Sequence, residues 1–140
     1  MLILDTDHVV EFQKGTSPEA QRLKQRLDEV EEPFGTMIVT VEEVMRGWLA
    51  AIRRTRDPFR QINAYGKLRQ LFRFFATWDV LDWSAASAAE FTTLKAAKTR
   101  VGTMDLKIAS ISLANGATLL TRNLQDFRKV PGLRVVDWLS

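Results

Sequence analysis

The chain has 140 residues, 46% of them hydrophobic, which suits one domain spanning residues 1–140 and leaves too little chain for two. It contains no cysteine, so disulfides, thiolate metal sites and thiol nucleophiles are excluded. The net charge is only +3, and without a charged leader or an apolar run of roughly 20 residues we expect a cytoplasmic protein with no membrane span.

The first half of the chain contains patterns typical of two strands and three helices. Short apolar or β-branched runs predict the strands, and apolar side chains at helical spacing predict the helices. The predicted strands are Leu2–Leu4 and Met37–Thr40, and the predicted helices are Pro18–Val30, Thr40–Arg54 and Pro58–Trp78. In the last helix, the face expected to point inward includes Phe72 and Phe75.

The second half alternates strands with helices more regularly. Ser84 is typical of a helix N-cap, and Asn115-Gly116 is typical of a helix end. The predicted strands are Val80–Leu81, Ala117–Thr121 and Leu133–Val136, and the predicted helices are Ser84–Arg100, Met104–Ala114 and a short turn or helix at Asn123–Phe127. This alternation predicts a three-layer α/β/α sandwich with a mostly parallel central sheet.

A basic segment extends from Arg46 to Arg73 and contains only one acid, Asp57. A segment of this kind could contact an anionic partner. It could equally be the solvated face of two helices, and the charge pattern alone leaves both interpretations open.

Four acids fall where the predicted elements would present them to one edge of the sheet. Asp5 ends the first strand, Glu43 follows the second, and Asp126 lies a few residues after the strand at 117–121. Ligands of open α/β sheets bind outside the carboxyl ends of the strands, so these acids should share a crevice. Asp105 can join them if its helix begins at the same edge. Carboxylates that converge at low dielectric repel each other, and a divalent cation such as Mg²⁺ or Mn²⁺ relieves that repulsion.

Each acid also has an ordinary structural explanation. Thr40–Glu43 has the spacing of a capping box, and Asp105 near a helix start suits the helix dipole. Asp126, three residues after Asn123, could cap its helix in the same way. Asp5 or Asp7 could accept hydrogen bonds from turn amides.

The residue patterns of other catalytic sites are missing. His8 is the only histidine, which excludes a two-histidine nuclease and is more typical of a packing or capping residue. Neither a glycine-rich phosphate loop nor a GxSxG elbow is present. With these sites excluded, catalysis by carboxylates and a bound metal ion is the chemistry that fits the sequence.

Several stretches, in order along the chain, resemble the PIN-domain family, and within it the VapC-type toxin ribonucleases of prokaryotic toxin–antitoxin pairs. They are LILDTD at 2–7, IVTVEEVMRG at 38–47, GTMDLKIASISLANGATLLTRNLQDF at 102–127 and VPGLRVVDW at 130–138. Each stretch is weakly specific, but the ordered set is fairly specific. Residues 48–100 match the family only in helical character.

The resemblance implies that the family's acidic quartet corresponds to four residues here: Asp5, Glu43, Asp105 and Asp126. Glu43 is preferred to Glu42 because it stands four residues before Gly47, as in the family's E-x-x-x-G. Thr121 and Asn123 match the polar residues that lie beside the metal in the family. Arg46 and Met104 depart from the family's usual residues, which puts substrate preference in doubt more than catalysis.

The activity implied by the resemblance is hydrolysis of RNA phosphodiester bonds with one or two Mg²⁺ or Mn²⁺ ions held by the quartet. The basic segment, including Arg46, Arg53 and Arg54, would hold the phosphate backbone. Its aromatic residues could stack on bases, although most such residues belong to cores: Trp48, Phe59, Tyr65 and Phe74. A small antitoxin and a homodimer are implied as partners.

Two other functions stay open. The D-x-D-x-V-V pattern at Asp5-Thr6-Asp7 also fits an aspartate-nucleophile phosphatase, although the downstream lysine and late acidic pair of such enzymes have no convincing equivalent. The chain could alternatively be a catalytically silent RNA- or protein-binding module, against which the intact acidic quartet argues.

Overall fold

The computed structural model describes residues 1–140, which form five strands and seven helices. The strands are β1 (Leu2–Leu4), β2 (Phe34–Met37), β3 (Val80–Leu81), β4 (Thr118–Leu120) and β5 (Arg134–Val136). The helices are α1 (Thr6–Lys14), α2 (Pro18–Glu29), α3 (Ile38–Arg53), α4 (Gln61–Ala76), α5 (Ala85–Ala96), α6 (Thr103–Ala114) and α7 (Leu124–Phe127). None of the helices combines the length and apolar character that a membrane span requires.

The strands form one sheet in the order β3-β2-β1-β4-β5, and every neighbouring pair is parallel. The predicted α/β class with a parallel central sheet is therefore confirmed. Because all strands run in the same direction, the segments that follow them emerge at one edge. The central strand β1 places Asp5 in the middle of that edge.

Two apolar cores cover the two faces of the sheet, and the strand residues alternate between them. Ile3 of β1 and Leu119 of β4 belong to the core formed with α5, α6 and α7. Leu2 and Leu4 of β1 belong to the other core, formed mainly with α1, α2 and α4. This alternation produces the three-layer arrangement predicted from the sequence.

The structure corrects the sequence prediction around the second strand. The strand is Phe34–Met37 rather than Met37–Thr40, and Ile38 already begins α3. The predicted capping box at Thr40–Glu43 is wrong, because Met37 is the N-cap and the buried Thr40 hydroxyl has no hydrogen-bond partner. The β-branched run at 38–41 favours a strand locally, but burial against the sheet as a helix outweighs that preference.

Other differences concern missed or overlong helices. Helix α1 was not predicted from the sequence. Asp5 is its N-cap and Gly15 is its C-cap. The predicted helix Pro58–Trp78 begins only at Gln61, and that from Ser84 ends at Ala96 rather than Arg100. Phe72, predicted to point inward, is 64% exposed.

Two glycines differ in the space that the fold leaves for a side chain. A Cβ on Gly35 would lie 2.4 Å from the carbonyl oxygen of Asp79, which accepts the Thr36 N–H at 2.9 Å. We expect Gly35→Ala to lower the free energy of unfolding by about 1–3 kcal/mol, because that clash involves backbone that cannot move freely. A Cβ on Gly66, in α4, meets no atom within 4 Å. Gly66→Ala should therefore raise the free energy of unfolding by about 0.5–1 kcal/mol. Urea denaturation of the two variants and the wild type measures both changes. The same change in the free energy of unfolding for Gly35→Ala and Gly66→Ala would contradict this account.

Candidate active site at the carboxyl edge of the sheet

Asp5 connects β1 to α1 and stands at the carboxyl end of the central strand. Its Oδ1 accepts a hydrogen bond from the Thr6 N–H at 2.7 Å, and its Oδ2 accepts one from the Thr121 hydroxyl at 2.8 Å. The residue is 6% exposed. Burial, with repulsion from Asp7 and Glu43, raises the pKa of Asp5 to about 7. A carboxylate whose ionisation is this unfavourable is the kind of group that a bound cation stabilises.

Asp7, in the first turn of α1, is fixed by neighbouring hydrogen-bond donors. Its Oδ2 accepts the Arg122 N–H at 3.0 Å, and its Oδ1 accepts a hydrogen bond from His8 Nδ1 at 2.6 Å. His8 Nε2 accepts the Trp138 N–H at 3.1 Å, which assigns the proton to Nδ1. Burial alone would raise the pKa of Asp7, but the hydrogen bonds from His8 and Arg122 hold it below its ordinary value. Asp7 is thus readily ionised and places a negative charge beside Asp5.

Glu43 lies in the second turn of α3, and one of its carboxylate oxygens is unsatisfied. Its Oε1 is buried without a hydrogen-bond partner, as is the nearby Thr6 hydroxyl oxygen. Burial raises the pKa of Glu43, and the charges of Asp105 and Glu42 add to the rise. The Thr6 hydroxyl lies near enough to lower this pKa in part, although it does not reach hydrogen-bond geometry. A buried carboxylate oxygen without a partner is normally satisfied by water, an ion or a ligand.

Asn123 connects two further acids on different helices. Its Nδ2 donates to Asp126 Oδ2 at 3.1 Å and contacts Asp105 Oδ2 at 3.4 Å. Burial raises the pKa of Asp105, and repulsion from Asp126 and Asp7 adds to the rise. The hydrogen bonds from Asn123 and from Lys129, whose Nζ is 3.3 Å from Oδ1, lower the pKa of Asp126. Asp105 is thus an inner member of the cluster, and Asp126 lies at its exposed rim.

The structure brings the predicted acids together at one edge of the sheet. Asp5 and Glu43 interact, and Glu43 in turn interacts with Asp105. No three His, Asp or Glu side chains close around one point as in a finished metal centre. The donor chemistry nevertheless fits Mg²⁺ or Mn²⁺, which take carboxylate oxygens and often keep several water ligands.

The capping explanations account for only part of these contacts. Asp5 does cap α1 and Asp7 does accept a turn amide, as the structural interpretation predicted. Asn123, by contrast, makes no side-chain cap on α7 and instead contacts two carboxylates. The second carboxylate oxygen of Asp5 and Oε1 of Glu43 therefore have no role in capping a helix.

Asp7 is the acid that sequence reasoning did not assign to the quartet. The available signal was its spacing of two residues from Asp5 at the start of a helix. Its contact with Arg122 could not be read from the sequence, because the two residues lie more than a hundred positions apart. The same holds for Trp138, which donates to the His8 ring that hydrogen-bonds Asp7. His8 is buried and hydrogen-bonded at both ring nitrogens, which agrees with its predicted packing role.

The three arginines predicted to contact nucleic acid lie in α3 or at its C-cap and have different surroundings. Arg46 donates to the Glu42 carboxylate at 2.6 Å and is therefore already paired. Arg54 lines a groove that also includes Glu43, whereas Arg53 does not. Of the three, Arg54 has the most direct connection to the acidic cluster.

We expect His8→Ala to lower the free energy of unfolding by about 2–4 kcal/mol. The change creates a cavity at a side chain with 0% exposure and removes the acceptor of the Trp138 N–H. Urea denaturation gives the difference directly. The matched control is Asn63→Ala on the exposed side of α4, which should change stability by less than about 0.5 kcal/mol. A His8→Ala protein as stable as this control would contradict the assigned hydrogen bonds.

Comparison with known proteins decides the family. The sequence matches the family profile described as "PIN domain" over residues 2–133, nearly the whole chain. The chain belongs to the PIN domain family. The resemblance found in the sequence motifs is thereby confirmed, and the cluster described above lies within the matched PIN domain region.

Curated relatives of this PIN domain are matched over a shorter stretch. A protein of Shigella flexneri named "tRNA(fMet)-specific endonuclease VapC" is 36% identical over 69 residues, which cover 46% of this chain and 52% of the relative. "Ribonuclease VapC2" of Rickettsia felis is 32% identical with the same coverage. The chain thus spans about half the length of the curated relatives it matches.

Solved structures share the fold along their whole length. VapBC-1 from nontypeable Haemophilus influenzae gives a TM-score of 0.76 at 19% identity, covering 99% of this chain and 98% of that one. VapBC2 from Rickettsia felis, bound to a DNA fragment from its promoter, gives 0.72 at 21% identity, with 98% of each chain covered. At these identities the likeness shows the fold, and the predicted PIN-like sandwich is confirmed.

Proposed function

We propose that this PIN domain is a metal-dependent endoribonuclease that hydrolyses RNA phosphodiester bonds. The observation that carries the proposal is the set of mutually repelling carboxylates at the carboxyl edge of the sheet, of which Asp5 is buried and Glu43 and Asp105 are half-buried. Asp5 has its pKa raised to about 7, and Glu43 presents a buried oxygen with no partner. The relatives named as endonuclease and ribonuclease support RNA as the substrate.

Four acids would hold Mg²⁺ or Mn²⁺. Asp5 and Asp105 are the proposed direct ligands, and Glu43 and Asp126 complete the site directly or through water. When bound, the ion supplies charge neutralisation for the cleaved phosphate and favours ionisation of the attacking water. Each acid keeps its predicted role from the sequence, and Asp7 adds negative charge without a ligand role.

The polar neighbours of the acids orient this site. Thr121 donates its hydroxyl to Asp5 Oδ2 and accepts the Asn123 N–H at 3.1 Å, which fixes the direction of the hydroxyl. The Asn123 amide lies between Asp105 and Asp126. Glu43 Oε1, which no protein group satisfies, is the proposed acceptor for a hydrogen bond from the attacking water.

A phosphatase that uses Asp5 as nucleophile is less well supported. Both Asp5 carboxylate oxygens already accept hydrogen bonds, and the residue is 6% exposed. A nucleophile needs an oxygen that can reach the substrate phosphorus. Trapping of a phosphoaspartate at Asp5 would favour this alternative.

The partners of this chain are also a proposal. Several structural neighbours are toxin–antitoxin complexes, among them VapBC from Salmonella typhimurium bound to DNA. We therefore propose that this chain is the toxin of such a pair, that it forms a homodimer, and that a small antitoxin inhibits it. Co-expression with the product of an adjacent short gene, followed by copurification and loss of cleavage, tests the assignment.

The function is tested by incubating the purified protein with total RNA in Mg²⁺, in Mn²⁺ and in excess chelator. We expect discrete cleavage products with either ion and none with chelator, and mapping of the cut ends identifies the RNA. RNA binding that is unaffected by chelator and never leads to cleavage would instead favour the catalytically silent module.

A further inference from the structure

A groove beside the acidic cluster has not been accounted for by the proposed catalysis. Its volume is about 820 Å³, within the range of roughly 300–1,000 Å³ that binds small organic ligands. It lies between α1, α3 and α4, and two of its lining residues, Thr6 and Glu43, are also residues of the acidic cluster. A ligand in the groove would therefore reach the place where the phosphodiester is expected to be cleaved.

The charge of the groove is opposite to that of the acidic cluster. Lys14 of α1, Arg54 at the end of α3 and Lys67 of α4 line it, and none of the three forms an ion pair. Glu43 is the only acid among the lining residues. Three unpaired cations from three separate helices favour an anionic ligand with more than one charged group.

Trp48 gives the same groove an aromatic wall. It packs partly against the apolar core on this face of the sheet, which fixes the indole, and it also lines the groove. A fixed aromatic ring among cations is the combination on which unpaired nucleotides bind, with bases on the ring and phosphates at the cations. Gly47, which precedes Trp48, also lines the groove, and an added Cβ there would meet no atom within 4 Å.

We propose that this groove holds the single-stranded RNA segment adjoining the cleaved phosphodiester, with a base on Trp48 and phosphates at Lys14, Arg54 and Lys67. The proposal rests on the endoribonuclease function proposed above and names the form of its substrate. It assigns a role to Lys14, which lies outside the basic segment recognised in the sequence.

The same geometry separates these residues from similar ones nearby. Phe74 packs against Phe75 and Trp78 in the core, and Tyr65 is 55% exposed outside the groove. Arg69 is an exposed cation of α4, like Lys67, but does not line the groove. Tyr65 and Arg69 belong to the basic segment first considered for RNA contact, but neither lines the groove, so the proposal excludes them from the contacts with RNA. They therefore provide matched controls for Trp48 and Lys67.

The experiment measures binding of a labelled single-stranded oligoribonucleotide by fluorescence anisotropy over a series of salt concentrations. All proteins carry Asp105→Asn, so that the probe is not cut. We expect Lys14→Ala with Lys67→Ala to weaken binding about tenfold or more at low salt, and to reduce the slope of log affinity against log salt by about 1.4. Trp48→Ala should weaken binding about tenfold, and Trp48→Phe should restore most of the loss. Arg69→Ala and Tyr65→Ala should each change affinity less than about threefold.

Several results would overturn the proposal. Groove variants that bind like the Arg69 and Tyr65 controls would show that RNA passes elsewhere. An equal loss of binding to a duplex RNA probe would contradict the single-stranded assignment. Variants that bind RNA normally but lose copurification with the adjacent gene's product would assign the groove to a protein segment.

The failure of this proposal is distinguishable from the failure of the nuclease function. Cleavage of total RNA by the wild-type protein, measured separately with Mg²⁺ and chelator, tests catalysis whatever the groove binds. If the wild type cleaves and the groove variants match their controls, only the groove assignment is wrong. If the groove variants lose RNA binding and the wild type never cleaves, the groove assignment is supported and the nuclease function is wrong.

Discussion

Asp105→Asn is expected to reduce metal-dependent RNA cleavage by about 10³-fold while leaving the protein folded. Asparagine has nearly the same shape but lacks the negative charge that a divalent ion requires. Asp105 is half-buried, and its pKa is raised by burial and by the charges of Asp126 and Asp7. Its charge is therefore unfavourable without an ion and strongly favourable with one, which makes it a sensitive position in the proposed site.

The measurement is initial cleavage rate against Mn²⁺ concentration, for the wild type and for two asparagine variants. Asp28→Asn on the exposed side of α2 changes the net charge equally and should cleave as the wild type does. The Asp105→Asn protein should need a higher Mn²⁺ concentration and should not recover the wild-type maximum rate. A variant that cleaves within about threefold of the wild type would remove Asp105 from the catalytic site.

The parts of the fold that the sequence predicted best are those specified by local patterns. β1, β3 and β4 are short runs of mainly apolar residues, and their positions were predicted to within one residue at each end. The Ser84 N-cap and the end of α6 at Asn115 were likewise correct. A local pattern predicts well where the burial of the folded chain agrees with local propensity.

The errors occurred where distant parts of the chain decide the local structure. All four residues of Ile38–Val41 are β-branched and favour a strand, yet in the fold they form the first turn of α3. α1 is delimited by Asp5, whose carboxylate caps the helix while its other oxygen bonds Thr121. The change from strand to helix at 38–41 cannot be read from a window of neighbouring residues. Asp5 and Gly15, by contrast, are local signals for the two ends of α1, and only the contact of Asp5 with Thr121 depends on the folded chain.

The candidate site shows the same division. The acids were found because parallel strands must deliver the residues that follow them to one edge, which is a rule of topology. The contacts that fix them were not found, since Thr121, Arg122 and Trp138 meet the first turn of α1 only in the folded chain. The groove was missed because Lys14 and Lys67 come together from separate helices.

Asp5→Asn is expected to stabilise the metal-free protein, even though it should inactivate it. The pKa of Asp5 is raised from 3.8 to about 7 in the folded protein, a difference that corresponds to about 4 kcal/mol at most. Below pH 3.8 the group is protonated in both states, and the stability associated with the protonated carboxyl is fully present. As the pH rises towards 7, the unfolded chain releases this proton more readily than the folded protein does. The free energy of unfolding therefore falls through this window.

The test is urea denaturation in excess chelator between pH 4 and pH 8, for the wild type and Asp5→Asn. The difference between the two proteins reports Asp5 together with its repulsion of Asp7 and Glu43, because groups that do not interact with Asp5 titrate alike in both proteins. We expect the variant to gain stability over the wild type as the pH rises, by up to about 4 kcal/mol at pH 8. If the free energies of unfolding of the two proteins changed in parallel with pH, the pKa of Asp5 would not be raised in the folded protein.

Adding Mn²⁺ should narrow the difference in stability between the two proteins at pH 8. An ion that binds only the folded wild type stabilises it by about 2.7 kcal/mol at a concentration one hundred times its dissociation constant. Above about one thousand times its dissociation constant the ion stabilises the wild type by more than about 4.1 kcal/mol, which is enough to reverse the order. Asp5→Asn should gain much less, because asparagine cannot neutralise the ion. Removal of the Asp5 charge should thus stabilise the protein without metal and weaken its stabilisation by Mn²⁺. A purely structural carboxylate would not produce these two opposite effects. Equal stabilisation of both proteins by Mn²⁺ would place the ion away from Asp5.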